Sequence, residues 1–104
     1  MLNVINTRLG ENRGLPRVWL EGKKLNSSFE PGQKIKVNID REKKVVSFSV
    51  TTSSDFDYTV SKRERNGRVR PLIEIKDKVL SELFGDTGVL LRVVVKNGEA
   101  TIEA

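Results

Sequence analysis

The chain has 104 residues and a formal net charge of +5, from 19 Lys and Arg against 14 Asp and Glu. It contains neither cysteine nor histidine. That excludes disulfides, thiolate nucleophiles, the usual zinc sites and imidazole acid–base catalysis. No run approaches the ~20 apolar residues of a membrane helix, and Met1 to Arg8 lacks the basic and apolar regions of a signal peptide. The expectation is one cytoplasmic, non-catalytic domain over residues 1–104, with no cofactor and no metal.

Gly10 to Gly14 reads as a loop, its glycines allowing close approach of backbone amides to an anion. Val18 and Leu20 then alternate with Arg17, Trp19 and Glu21, which predicts a half-buried strand with Trp19 pointing away from the core. Leu25 and Phe29 have the i, i+4 spacing of one helical turn. Pro31-Gly32 breaks the direction, and Ile35, Val37 and Ile39 alternate in a second strand. Asp40 to Lys44 turns this strand back into Val45–Val50. Thr51 to Asp57 is a polar turn, Tyr58 to Lys62 an additional strand, and Asn66-Gly67 a hairpin turn. Ile73 and Ile75 predict another strand, Leu80 and Phe84 another helical turn, and Leu91, Val93 and Val95 a further strand. Asn97-Gly98 closes the last hairpin against Ala100 to Ile102.

The same order of elements occurs twice. Pro16, Val18, Leu20, Leu25 and Phe29 align with Pro71, Ile73, Ile75, Leu80 and Phe84 at one constant offset. After one inserted residue, Gly32, Ile35, Val37 and Ile39 align with Gly88, Leu91, Val93 and Val95. The reading is a tandem duplication, 15–50 and 69–104, joined by a hairpin-like connector over 51–68. A single copy cannot bury both faces of its sheet. The two copies are therefore expected to share one core, as in a fused dimer with an internal pseudo-two-fold axis. That core comprises Val18, Leu20, Leu25, Phe29, Ile35, Val37 and Ile39 against Ile73, Ile75, Leu80, Phe84, Leu91, Val93 and Ile102.

The segment from Arg17 to Leu25, followed by Phe29-Glu30-Pro31-Gly32-Gln33-Lys34-Ile35-Lys36-Val37, resembles the AbrB/SpoVT and SymE-like superfamily of swapped-hairpin half-barrels. Thr7 to Gly14 and Leu83-Phe84-Gly85-Asp86 are similar to the small amino-terminal region ahead of some phage-type DNA cytosine methyltransferases. The resemblance implies a mainly β fold: two tandem half-barrels forming one pseudo-two-fold β-barrel with short helical turns. It also implies DNA binding through basic residues on one face.

The charge pattern supplies candidates for that face. Residues 1–52 hold the whole positive excess, whereas 53–104 are balanced. Within the balanced half, Lys62, Arg63, Arg65, Arg68 and Arg70 crowd one segment, opposed only by Glu64. The candidate phosphate contacts are Arg8, Arg13, Arg17, Lys23 and Lys24 together with those five, because guanidinium groups donate paired hydrogen bonds to phosphate. Trp19 is the candidate for packing against a partner. Three readings follow. The first is a bacterial or phage DNA-binding module, a regulator or an accessory to a DNA-modifying enzyme such as a methyltransferase. The second is a protein-interaction module, such as a phage-encoded inhibitor acting on a host defence complex. The third is a SymE-like RNA-cleaving toxin. The chain is expected as a monomer or a homodimer.

Overall fold

The computed structural model describes residues 2–104 and is mainly β. In chain order the elements are β1 (Leu2–Arg8), β2 (Gly10–Asn12), β3 (Leu15–Glu21), α1 (Lys23–Asn26), β4 (Lys34–Asp40) and β5 (Val45–Thr51). They continue with β6 (Tyr58–Thr59), β7 (Ser61–Arg65), β8 (Arg68–Lys76), α2 (Val79–Phe84), β9 (Leu90–Lys96) and β10 (Glu99–Glu103).

These strands form two open antiparallel sheets rather than the single closed barrel expected from the sequence. Sheet A has the order β1-β9-β10-β5-β4-β6, and sheet B the order β2-β3-β8-β7. Gly10–Asn12, read as part of a loop, forms β2, with Glu11 opposite Pro16, and the residues before it form β1, with Ile5 and Thr7 opposite Val93 and Leu91. At Leu9 the chain leaves sheet A and enters sheet B, and at Val60 it does the same again. Strands that change sheet in this way make the corners between packed sheets. Residues 51–68, read as a connector, supply β6 to sheet A and β7 to sheet B.

Equivalent strands of the two halves pair with each other in both sheets. In sheet B, Val18 lies opposite Ile75 and Leu20 opposite Ile73, with Trp19 opposite Glu74 between them. In sheet A, Phe48 lies opposite Ala100 and Val46 opposite Ile102, with Ser47 opposite Thr101 between them. The two corners match bond for bond. Leu9 donates to the Val89 carbonyl at 2.9 Å and accepts from the Gly88 N–H at 2.8 Å. Val60 donates to the Gln33 carbonyl and accepts from the Gly32 N–H, both at 2.8 Å. Thr7 faces Leu91 where Tyr58 faces Ile35, and Glu11 faces Pro16 where Lys62 faces Pro71.

The core lies between the sheets. Val18, Leu20, Leu25, Ile35, Leu80, Val93 and Ile102 are fully buried, and the Phe29 ring packs tilted against Phe48 with centroids 5.4 Å apart. The helical turns do what the Leu-x-x-x-Phe spacing predicts. Leu25 and Phe29 are both buried, and the Phe29 N–H donates to the Leu25 carbonyl at 3.1 Å. Leu80 and Phe84 are buried on α2. Leu9, Val46, Phe48 and Val60 join the core without having been expected there. Ile39 does not belong to it: the residue is 37% exposed, and Val37 is only half-buried. Both lie on a stretch of β4 beyond the reach of β6, which pairs only with Lys34 and Ile35. Among the described residues, no helix is long and apolar enough to cross a membrane.

Candidate nucleic-acid interface

Asn66 and Gly67 have φ values of 53° and 76°. Two positive values in succession define the tight turn whose twist matches that of paired strands. This turn fixes the ladder of the β7–β8 hairpin, with Arg65 opposite Arg68 and Arg63 opposite Arg70. Directly opposed residues share a face of the sheet, and successive residues alternate. Arg63, Arg65, Arg68 and Arg70 therefore all lie on one face of the ribbon. Lys62 lies on the other, opposite the buried Pro71.

The ribbon overhangs the rest of sheet B. Pairing between β3 and β8 ends at Glu21 opposite Leu72, so the four rows from Lys62–Pro71 to Arg65–Arg68 have β3 beside none of them. The arginine face borders a cleft of about 770 Å³ lined by the four arginines with Glu21, Gly22 and Asn66. Glu21 is the only carboxylate there, and it pairs with Arg63 at 3.0 Å. Arg65, Arg68 and Arg70 have no ion-pair partner among the described residues. Like charges placed directly opposite each other destabilise a strand pair. Two such rows on one face, with Glu64 opposite Val69 between them, place repulsion there that only the Arg63–Glu21 pair offsets, whereas a bound polyanion would relieve it.

The other candidate residues are placed differently. Arg17 donates to Glu74 at 2.8 Å and lies 4.7 Å from the centroid of the Trp19 ring. Hydrogen bonding from Arg17, helped by the charge of Lys76, holds the Glu74 carboxyl below its ordinary range. Arg17 and Trp19 thus form a packed group on the outer face of sheet B, and Trp19 is half-buried. Arg13 sits in the β2–β3 turn with φ 53°. Because β3 runs antiparallel to β8, this turn lies at the end of sheet B opposite the Asn66-Gly67 turn. Arg8 donates to the Gly88 carbonyl at 2.9 Å, and Lys24 to the Val4 carbonyl at 2.7 Å. Lys23 is exposed and directly follows Gly22 at the margin of the cleft.

Four of the ten candidate cations therefore share one face, Lys23 borders it, and Arg13 is remote from it. The cleft also takes in Glu21, Gly22 and Asn66, none of which stood out as a site residue. The signal for the shared face was already in the Asn66-Gly67 pair. A two-residue turn fixes which residues oppose one another, and alternation then separates the four arginines from Lys62. No protein-family model, no curated protein and no solved structure matches the chain.

Proposed function

We propose that the chain is a bacterial or phage DNA-binding module, a regulator or an accessory to a DNA-modifying enzyme, that engages duplex DNA with the β7–β8 ribbon. The observation that carries the reading is the four-arginine face of Arg63, Arg65, Arg68 and Arg70, unneutralised except at Arg63. The overhanging part has four paired rows, a length of roughly 13 Å at about 3.3 Å per residue. A two-stranded ribbon of that size fits the major groove, about 12 Å wide and 8.5 Å deep. Guanidinium forks bind phosphate oxygens or the O6/N7 edge of guanine with paired hydrogen bonds.

The matched pairing of the two halves supports a related proposal: the chain is two copies of one unit fused into a pseudo-dimer. If the strand ahead of each copy is counted with it, β1 with the first and β6 with the second, each of these strands pairs with the other copy, β1 with β9 and β6 with β4. Such an exchange is in keeping with the resemblance to swapped-hairpin AbrB/SpoVT and SymE-like proteins, apart from the open sheets.

Titration of the purified chain against a fluorescent duplex over a series of salt concentrations tests the function. Binding should weaken steeply with salt, with log K falling by about 0.9 per decade of salt for each phosphate neutralised. An absence of duplex binding at low ionic strength, where attraction is least screened, would refute the proposal.

A further inference from the structure

The two long strands β4 and β9, at matching places in sheet A, differ in what covers their outer edge. β9 is paired along its whole length by β1, from Leu2 opposite Lys96 to Arg8 opposite Leu90. Val93 and Val95 beneath that cover are 0% exposed. On β4 the corresponding positions are Val37 and Ile39, and the cover there stops at Ile35 opposite Tyr58. Val37 is half-buried and Ile39 is 37% exposed.

The chain path explains the difference. Thr51 ends β5 opposite Lys34, and β6 begins opposite Ile35 on the far side of β4. Residues 52–57 must cross β4 from one side to the other, and so few residues cannot also run along its edge. One side chain partly substitutes for the missing strand. The Val37 N–H donates to Asp57 Oδ2 at 2.7 Å, so that carboxylate oxygen stands where a paired strand's carbonyl would be. The Ile39 N–H faces the same open side, since positions two apart on a strand point their backbone groups the same way.

Beside this edge is a groove of about 240 Å³ walled by Val37, Ile39, Ile75 and Val79, with the carboxylates of Asp57 and Asp77. Asp57 has one long contact, 3.8 Å, with the exposed Lys36, and Asp77 has no ion-pair partner among the described residues, on a chain of net charge +5. Open edges accept an added strand, with backbone hydrogen bonds giving affinity and alternate side chains giving specificity.

We propose that the free edge of β4 binds an extended segment of a partner polypeptide. The segment adds antiparallel to β4, its backbone carbonyl replacing Asp57 Oδ2 at the Val37 N–H, sets an apolar β-branched side chain opposite Val37, as Ile5 is set opposite Val93, and places a Lys or Arg beside the released Asp57 and Asp77. This site is on sheet A, at the end of β8 away from the arginine ribbon, and does not depend on the nucleic-acid reading.

A peptide of sequence Leu-Asn-Val-Ile-Arg is the probe: it is the part of the β1 sequence whose register on β4 stays clear of β6, with Arg as its last residue to reach the carboxylates. Titrated into the isotope-labelled full chain, it should shift the amide resonances of Val37 to Asp40 and slow hydrogen exchange at the Ile39 amide. Ile39→Pro removes that donor without removing a bond to β5, as edge strands permit, and should abolish the effect. Asp57→Asn with Asp77→Asn keeps the acceptors, removes the charge, and should weaken binding in a salt-dependent way. This second variant decides the matter if the proline variant fails to fold. No shift along β4 at millimolar peptide would overturn the proposal. So would shifts confined to β9, which would report exchange with β1, or edge protection that grows with protein concentration alone, which would make the occupant a second copy.

Discussion

The β2–β3 and β7–β8 hairpins hold corresponding places in sheet B and present different surfaces. Their turns are alike: Arg13-Gly14 has φ values of 53° and 82°, and Asn66-Gly67 has 53° and 76°. Their ladders both carry a proline, with Glu11 opposite Pro16 and Lys62 opposite Pro71. On the outer face, however, the first hairpin has Gly10, Asn12, Leu15 and Arg17, and the second has four arginines on longer arms. Beyond the proline row the first hairpin has one row, Asn12 opposite Leu15, and the second has three, so the Arg65–Arg68 row has no counterpart in the first. A hairpin at this place in sheet B closes without the arginines, and on the proposed function they serve the bound polyanion. The difference also separates the two halves of the chain into a shared interior and divergent surfaces.

The strongest test of the shared interior is truncation of its two helical-turn phenylalanines. Phe29 is 1% exposed and Phe84 7%. Phe29→Ala and Phe84→Ala should each cost roughly 3–5 kcal/mol, with Phe29→Ala the worse because it also removes the partner of the Phe48 ring. Urea unfolding of both variants measures this. A variant that melts like the parent would mean that the two halves do not contribute equivalently to one core.

A smaller effect sharpens the comparison of the hairpins. Arg13 and Asn66 occupy the same left-handed turn position, which costs an ordinary residue about 1 kcal/mol and asparagine less. Arg13→Asn should raise the melting temperature, and Asn66→Arg should lower it. Changes of the same sign would show that the turns are not equivalent.

The smallest effect concerns the Arg17–Glu74 pair between the hairpins. Arg17 depresses the Glu74 pKa in the folded chain. The pair's contribution is therefore present above the unfolded-state pKa and lost as pH falls through the folded one. Glu74→Gln should flatten the dependence of stability on pH below about 5, the acid side of a normal carboxyl titration. An unchanged acid limb would show that the pair adds nothing to stability.

Much of this architecture was legible in the sequence where periodicity met burial. Val18, Leu20, Ile73 and Ile75 alternate and are buried, and both Leu-x-x-x-Phe turns deliver their side chains inward. The first strands were not legible. In Leu2 to Arg8 the positions opposite the buried Val95, Val93 and Leu91 are Asn3, Ile5 and Thr7, an alternation too polar to mark a strand. Ile39 carries the right periodicity but stays exposed, because alternation reveals which face a residue is on and not whether a neighbouring strand covers it. Among the cations, clustering in sequence found the arginine ribbon. It also gathered Arg13, which the antiparallel sheet sends to the opposite end, and Arg8 and Lys24, which bind backbone carbonyls. Charge counts along a chain carry no information on such long-range pairing.

Two matched double variants test the central claim most directly. Arg63→Ala with Arg65→Ala removes two charges from the ribbon, and Arg8→Ala with Arg13→Ala removes two from elsewhere. Fluorescence anisotropy with a labelled duplex over a salt series compares them at equal net charge. The ribbon variant should bind more weakly at low salt, with the slope of log K against log salt reduced by about 0.9 for each phosphate no longer neutralised. The control pair should leave that slope near the parent's. An equal weakening in the two variants would mean that DNA responds only to overall charge, and would contradict the assignment of the β7–β8 ribbon as the binding element.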